Sequence, residues 1–248
     1  MGFDLHDYEA KYAAHYEAPS FETTMVEVRR RRVLESVRRH PHRRILEIGC
    51  GLEPLFLAID DAERHTIVEP AARFVAAARE RAGDRDVRVH QGYFEAVAPT
   101  LHGETFDVVV VSSLLHEVPD PQALLAAVRS VCGASTVVHV NVPNVGSLHR
   151  LLAVEMGLIE SVFEPSETER RFQRNTRFDR DTFHRTLAAA GFRIVEDGSY
   201  FVKPFTHHQM QQMLDAGIID QRVIDGLDRL ADLLPALGAE LFANVVVD

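Results

Sequence analysis

Two glycines that follow a short apolar run are the first residues in this chain that could do chemistry. Residues 45–48 are largely apolar, and Gly49 and Gly51 come directly after them. Glycines after a first strand let the backbone turn tightly and approach a ligand closely. Glu69 follows Gly51 by 18 residues, a spacing at which a carboxylate can accept hydrogen bonds from both hydroxyls of a ribose. The pattern therefore predicts a site for a ligand that carries a ribose.

Two neighbouring residues narrow the kind of ligand. Pro54 stands where the third glycine of a dinucleotide fingerprint would be, and this impairs the close strand–helix approach that places a pyrophosphate. Glu47 precedes the glycines, and a carboxylate attracts an ammonium or sulfonium centre but repels a pyrophosphate. We therefore expect a ligand with a positive centre rather than a dinucleotide.

Strands that alternate with helices are expected to position this site. Ser20 can cap a helix over residues 21–39. Apolar runs predict strands at residues 45–48, 65–68, 87–90, 106–111 and 136–142, with helices at 71–81 and 121–131 between them. This alternation indicates a parallel sheet with right-handed crossovers. Beyond residue 143 the pattern predicts helices at 148–158, at 179–190 and twice within 204–238, and strands at 192–195, 200–202 and 240–247.

The same stretches resemble the class I S-adenosylmethionine-dependent methyltransferases. Residues 47–51 are similar to the glycine-rich first motif of that family, and Glu69 to its ribose-binding acid. Residues 91–95 stand where the family has its adenine-contacting loop, and residues 106–120 resemble its fourth strand and the loop that follows. The resemblance covers residues 40–142. It implies an α/β fold, with a Rossmann-like, seven-stranded, mainly parallel sheet, an antiparallel last strand, helices on both faces, and helical inserts that cap the active site.

The expected domain organisation follows from this resemblance. Residues 1–40 are expected to form an N-terminal helical lid, in which Tyr8, Tyr12 and Tyr16 share one helix face. Packing of that face on the sheet is the alternative. Residues 41–248 would form the S-adenosylmethionine-binding methyltransferase domain, with acceptor-site inserts at 144–178 and 204–238.

The resemblance also implies a cofactor, S-adenosyl-L-methionine, with S-adenosyl-L-homocysteine as product. Gly49 and Gly51 would pass beneath the methionine moiety and the ribose, with Cys50 as a small residue in the turn. Glu47 would orient the amino end of the cofactor. The remaining cofactor contacts implied are Glu69 and Pro70 near the ribose, Gly92, Tyr93 and Phe94 around the adenine, and Ser112 beneath the methyl group. Core packing is the alternative for Tyr93 and Phe94.

Three residues near the ends of the fourth and fifth strands are candidates for catalysis. Methyl transfer from a sulfonium needs proximity and alignment, and a base where the acceptor is a hydroxyl. His116 is the leading base, because its unperturbed pKa of about 6.5 suits proton removal near neutrality, although support of the loop is the alternative. His139 and Asn141 alternate on the fifth strand and point to one side. Burial in the sheet is the alternative for His139.

The arginine-rich stretch 170–180 has two interpretations. Arg174 and Arg177 are two of five arginines in eleven residues, beside three glutamates. Guanidinium groups match carboxylates and phosphates, so these arginines predict an anionic acceptor; a solvated, self-paired surface is the alternative. Further acceptor contacts are predicted at Tyr12, Tyr16, Asn144 and His149. No metal is expected, because the fourth and fifth strands end in Ser112 and Asn141 rather than in carboxylates.

Composition limits the partners and the compartment. Lys and Arg number 27 against 37 Asp and Glu, a net charge of −10, and such a chain is repelled by the phosphates of nucleic acids. The N-terminus carries no targeting pattern. Two cysteines are too few for a disulfide framework or a structural zinc site, and no apolar run is long enough to cross a bilayer. We expect a cytoplasmic monomer or homodimer that acts on a small molecule, without nucleic-acid or membrane partners.

These expectations combine into a predicted activity. The chain is expected to be an enzyme that methylates a hydroxyl of a small anionic acceptor, in specialised or sugar metabolism and without a metal. An N-methyltransferase that acts on a small amine is the nearest alternative. A non-catalytic S-adenosylmethionine-binding module is another, and an NAD-dependent oxidoreductase is a weaker one.

Overall fold

One seven-stranded sheet organises the chain. The structure, a computed structural model, describes residues 20–165 and 176–248. The strands follow the order β3-β2-β1-β4-β5-β7-β6, and β7 runs antiparallel to both of its neighbours while the other pairs are parallel. The strands are β1 (Arg44–Ile48), β2 (Arg64–Glu69), β3 (Val87–Gln91), β4 (Val108–Ser112), β5 (Val137–Pro143), β6 (Phe192–Tyr200) and β7 (Glu240–Val247). The predicted Rossmann-like sheet with an antiparallel last strand is confirmed.

Helices cover both faces of this sheet, as predicted. The described helices are α1 (Phe21–Arg38), α2 (Ala72–Ala82), α3 (Phe94–Val97), α4 (Pro121–Ser130), α5 (Leu148–Glu155), α6 (Arg180–Ala189), α7 (His207–Asp215) and α8 (Gln221–Leu233). Leu46 of β1 belongs to the core shared with α4 and α6, whereas the adjacent Ile45 packs under α1. Successive side chains of a strand point to opposite faces, so these two contacts mark the two sides of the sheet. None of the described helices is both long enough and apolar enough to cross a membrane.

Helix α1 packs as part of the core. Its second half places Val33 and Val37 against Ile45 of β1. Its first half places Phe21 in a second cluster with Phe201, on the side of α7 and α8. Burial of this apolar face holds α1 on the sheet, while the tyrosines of the predicted lid lie outside the described residues. A lid stays a prediction for residues 1–19, which lie outside the described residues.

Strand β6 differs from its prediction. The sequence predicted two short strands, at 192–195 and 200–202, but residues 192–200 form one strand with a bulge between Ile194 and Glu196. The strand lies at the edge of the sheet, where polar side chains are tolerated and bulges are common. Gly198 passes beneath the ring of Phe242, and a Cβ atom there would lie 2.7 Å from Cε1 of that ring. The glycine therefore serves close packing within a strand rather than a turn.

Candidate active site

The turn after β1 opens the carboxyl edge of the sheet. Its backbone has φ values of +76° at Gly49 and +55° at Gly51, a region that costs glycine little and other residues more. The amide of Gly49 donates to the carbonyl of Val68 at the end of β2, at 2.9 Å. The glycine pair therefore bends the chain away from the sheet while the end of β1 stays fixed to β2.

Two cavities meet beside this turn. A cavity of about 150 Å³ lies between the glycine turn, the end of β4 and α1. A larger cavity of about 460 Å³ lies between the end of β2, the start of α3 and the loop after β4. Gly49, Glu69 and Leu114 line both cavities. The two therefore form one cleft across the carboxyl end of β1, which we call the double cleft.

Every residue that the sequence predicted as a cofactor contact lines the double cleft. The smaller cavity contains Glu47, Gly49, Cys50, Gly51, Glu69 and Ser112. The larger cavity contains Gly49, Glu69, Pro70, Gly92, Tyr93 and Phe94. The carboxyl ends of parallel strands share one edge of the sheet, and this is why residues from β1, β2, β4 and the loop after β3 meet there.

Glu69 lies where the two cavities join. Its side chain is almost fully buried. Its Oε1 accepts a hydrogen bond from the amide of Ala71 at 2.9 Å, and Oε2 accepts a longer one from the amide of Gly51 at 3.4 Å. Backbone donors of this kind hold a buried carboxylate in one orientation.

Glu47 is a carboxyl group whose charge depends on what lies in the cleft. Burial raises its pKa to about 8, and this outweighs the amide of Leu55, which donates to Oε2 at 2.9 Å, and the positive charge of Arg30. Without a cationic partner the group is therefore mostly protonated at neutral pH. A positive centre placed beside it would favour the ionised form.

The thiol of Cys50 is a poor nucleophile. The residue is buried, and burial raises the pKa of its thiol well above the usual range. Since the thiolate is the nucleophilic form, Cys50 acts here as a small residue of the turn.

Several residues of the double cleft were missed by the sequence analysis. One group lies on a single face of α1: Val26, Arg29, Arg30 and Val33. Their spacing of three and four residues could have shown that they share a face. The other group follows β4 and comprises Ser113, Leu114, Glu117, Val118, Pro119 and Asp120.

The candidate histidines lie outside the lining of the double cleft. His116 is buried, and its Nε2 lies 3.5 Å from a carboxylate oxygen of Glu117, the residue that reaches the larger cavity. His139 is fixed on both sides, since its Nδ1 lies 2.8 Å from Oδ1 of Asn244 and its Nε2 lies 3.1 Å from the hydroxyl of Tyr200. Burial lowers the pKa of His139 to about 4. A neutral ring bonded at both nitrogens argues against a catalytic role for His139.

The predicted acceptor contacts are scattered. Asn141, the remaining candidate for catalysis, lies fully buried beside Ser112 and lines neither cavity. Asn144 donates to the carbonyls of Ala236 and Gly238 and accepts from the amide of Gly146; these bonds tie the two inserts together and argue against contact with an acceptor.

The predicted set also contains His149, Arg177 and three residues outside the described ranges. Nδ1 of His149 lies 3.1 Å from the Ser147 hydroxyl, and burial lowers its pKa to about 2. Neither His149 nor the half-buried Arg177 lines the double cleft. Tyr12, Tyr16 and Arg174 lie outside the described residues. Within residues 20–165 and 176–248, no group of three or more His, Cys, Asp or Glu side chains is placed to hold a metal ion.

Comparisons with family models and solved structures find methyltransferases. The family model described as "Methyltransferase domain" matches residues 20–197. No curated protein sequence matches the chain. Among solved structures, a chain from the complex of the Haloferax volcanii Trm112 methyltransferase activator with its methyltransferase has a TM-score of 0.63 at 13% identity, with 97% of both chains covered.

Two further solved structures have the same fold. A Thermotoga maritima protein, described as a possible histamine N-methyltransferase, has a TM-score of 0.61 at 16% identity and covers 98% of this chain and 99% of its own. The plantazolicin methyltransferase BamL, solved with a desmethyl analogue and S-adenosylhomocysteine, has a TM-score of 0.59 at 13% identity, with 96% and 90% covered. At such identities these likenesses concern the fold.

Proposed function

This chain belongs to the class I S-adenosylmethionine-dependent methyltransferases, and we propose from that premise that its double cleft binds the cofactor for methylation of a small molecule. The cofactor of the family is S-adenosylmethionine, and its product is S-adenosylhomocysteine. The observation that carries the proposal is the meeting of two cavities at a buried carboxylate, Glu69.

The residues of the double cleft fit this cofactor. Its larger cavity has a mostly apolar wall with Val68, Phe94 and Leu124 and an exposed Tyr93 at its rim, which suits a purine ring. Glu69, at the junction, suits a ribose. The smaller cavity combines the carboxyl of Glu47 with the guanidinium of Arg30, and these groups suit the two charged ends of an amino acid.

The chain's own residues then act by binding and orientation. When bound, the cofactor supplies an electrophilic methyl group on a sulfonium. Glu69 would accept hydrogen bonds from the ribose hydroxyls, and Glu47 would ionise beside the amino group. Ser112 and Ser113 form the wall at the end of β4, and Ser113 holds a left-handed backbone with φ +53°. Non-glycine residues in this region are uncommon and are enriched at functional sites.

The acceptor is proposed to be a small molecule. The acidic surface supports this, since it disfavours nucleic acids. The names of two proteins with this fold agree: one is described as a possible histamine N-methyltransferase, and the other methylates plantazolicin.

One observation supports the alternative that the enzyme is an N-methyltransferase. Among the described residues that line the double cleft there is no histidine, and the proposed base His116 lies behind Glu117. A hydroxyl acceptor needs a base, whereas a neutral amine already carries a free electron pair. Transfer to an amine is therefore the second candidate function, beside transfer to a hydroxyl.

Calorimetric titration tests the cofactor site. We expect the wild-type protein to bind S-adenosylmethionine and S-adenosylhomocysteine, and not NAD. Glu69→Gln should weaken both by about tenfold or more, because two hydrogen bonds to a charged acceptor are lost. Glu63→Gln, at a half-exposed carboxylate beside Arg43, is the matched control and should bind normally. Binding of NAD without S-adenosylmethionine would refute the proposal.

A further inference from the structure

We propose that Oδ1 of Asn141 is a preset hydrogen-bond acceptor for an N–H group of the substrate, which makes the substrate of this enzyme an amine. The inference rests on the proposed function and deepens it. It depends on three features of Asn141: the orientation of its amide, the lack of a partner for its oxygen, and its place beside the double cleft.

The orientation of the Asn141 amide is fixed by a carboxylate. Its Nδ2 lies 3.0 Å from Oε2 of the buried Glu240. The Nε of Arg29 lies 2.8 Å from both oxygens of the same carboxylate, and Nη2 of Arg29 also bonds to it. A carboxylate held by a guanidinium accepts hydrogen bonds and donates none. The amide nitrogen must therefore face Glu240, and the amide oxygen must face the other way.

The oxygen that is turned away has no hydrogen-bond partner among residues 20–165 and 176–248. Asn141 is fully buried, and no donor in the described part of the chain reaches its Oδ1. An unpaired carbonyl in a protein interior costs stability, so native structures seldom contain one without a reason. Asn144, three residues along the same segment, shows the usual outcome, because both its nitrogen and its oxygen are bonded.

Strand pairing places Asn141 next to the cleft, although its side chain lines neither of the two cavities. Asn141 of β5 is the register partner of Ser112 of β4, and partners in parallel strands project to the same face. Ser112 lines the smaller cavity, as does Arg29. The amide of Ser113 donates to the main-chain carbonyl of Asn141 at 3.1 Å. The side chain of Asn141 thus lies one strand beyond the wall that the cofactor cavity shares with β4.

A fixed carbonyl oxygen favours a substrate that can donate an N–H group to it. An amine can donate one N–H to Oδ1 while its electron pair forms the new N–C bond; the C–S bond breaks, its electrons stay on sulfur, and the ammonium proton passes to water. A carboxylate or phenolate has no hydrogen to donate. A hydroxyl could donate, but an amide oxygen is too weak a base to remove its proton.

Asn141→Leu tests this role as a positioning residue. The variant keeps a similar volume and removes Oδ1. We expect its affinity for S-adenosylmethionine, measured by calorimetry, to match that of the wild type. N-methylation of an amine substrate should fall about tenfold or more, since one hydrogen bond in the transition state is lost. Asn144→Leu is the matched control for folding, and its melting temperature should fall further than that of Asn141→Leu, because it breaks three satisfied hydrogen bonds.

The chemical shift of the methyl group in the product identifies the substrate class. The probe is S-adenosylmethionine carrying a ¹³C methyl group, incubated with wild-type protein and an amine-rich cell extract. The ¹³C chemical shift separates N-methyl from O-methyl products. New N-methyl signals that are lost in Asn141→Leu support the inference.

Other outcomes overturn it. These are O-methyl products alone, bound cofactor without any labelled amine, or equal N-methylation by Asn141→Leu. Because the wild-type product suffices, the inference stays falsifiable if the variant does not fold. Failure of the wild type to bind S-adenosylmethionine would instead count against the proposed function.

Discussion

At the scale of single residues, two of the buried carboxyl groups in the double cleft, Glu69 and Glu47, have different hydrogen-bond partners. Glu69 is held by two backbone amides, whereas Glu47 has one such donor and a pKa of about 8. The first is preset for hydroxyl donors. The second acquires its charge only when a positive group arrives, so binding of the cofactor is coupled to release of a proton.

This coupling predicts a pH dependence of cofactor binding. Below about pH 8 the carboxyl of Glu47 must lose a proton before it can pair with a cation, so affinity for S-adenosylhomocysteine should rise with pH and then level off. The slope should not exceed about tenfold per pH unit for one proton. Calorimetry in two buffers of different ionisation enthalpy would count the protons released. Glu47→Gln should release none, and an unchanged proton count in that variant would contradict the coupling.

The same shift affects stability in the opposite direction. The ordinary pKa of 4.5 applies to Glu47 in the unfolded chain, and about 8 in the folded one. Between these values the unfolded chain gives up the proton first, so the contribution of Glu47 lowers stability as pH rises through that window. We expect Glu47→Gln to unfold at higher denaturant concentration than the wild type at pH 8, and to differ little below about pH 4.5.

At the scale of elements, α1 joins the smaller cavity of the double cleft to α7 and α8. Its apolar residues pack on the sheet and on α7 and α8, while Arg31 and Arg32 both bond to Asp228 of α8. The Asp228 carboxylate is buried. Because Arg29 and Arg30 of α1 line the cavity, the position of this helix also decides the shape of the cofactor site.

Removal of the Asp228 carboxylate should loosen this junction. We expect Asp228→Ala to lower the free energy of unfolding by about 3 kcal/mol, because two arginines lose a buried partner. Asp232, on the same helix, is largely exposed and 3.5 Å from Arg32. Asp232→Ala should change stability by less than about 0.5 kcal/mol. Equal losses in the two variants, measured by urea denaturation, would show that burial of the ion pair is unimportant.

At the scale of the whole molecule, the double cleft is built from β1, β2, β4, α1 and the loops after β3 and β4. Binding there should stabilise the entire fold. At a concentration of S-adenosylhomocysteine about 100 times its Kd, the expected gain is about 2.7 kcal/mol. For a chain of this size that corresponds to a rise in Tm of roughly 5–10 °C. Adenosine alone, which lacks the amino-acid end, should give a smaller rise in the same thermal scan; an equal rise would mean that the smaller cavity takes no part.

The sequence determined the parts of this protein that depend on neighbouring residues. The glycines after β1, the acid after β2 and the alternation of strands with helices predicted the sheet and the residues that line the double cleft. They could do so because the ends of parallel strands meet at one edge, so local signals converge without knowledge of distant contacts.

The tertiary structure decided what depends on distant partners. Nothing near Asn141 or Glu240 in the chain reveals that Arg29 orients both of them from 112 and 211 residues away. His139 could be catalytic or structural until Asn244 and Tyr200 were placed around it. The sequence predicted two strands where β6 is one, because its edge position and its packing against the ring of Phe242 depend on distant residues. In each case a side chain's role is set by what faces it across the fold, and that information is not carried by local spacing.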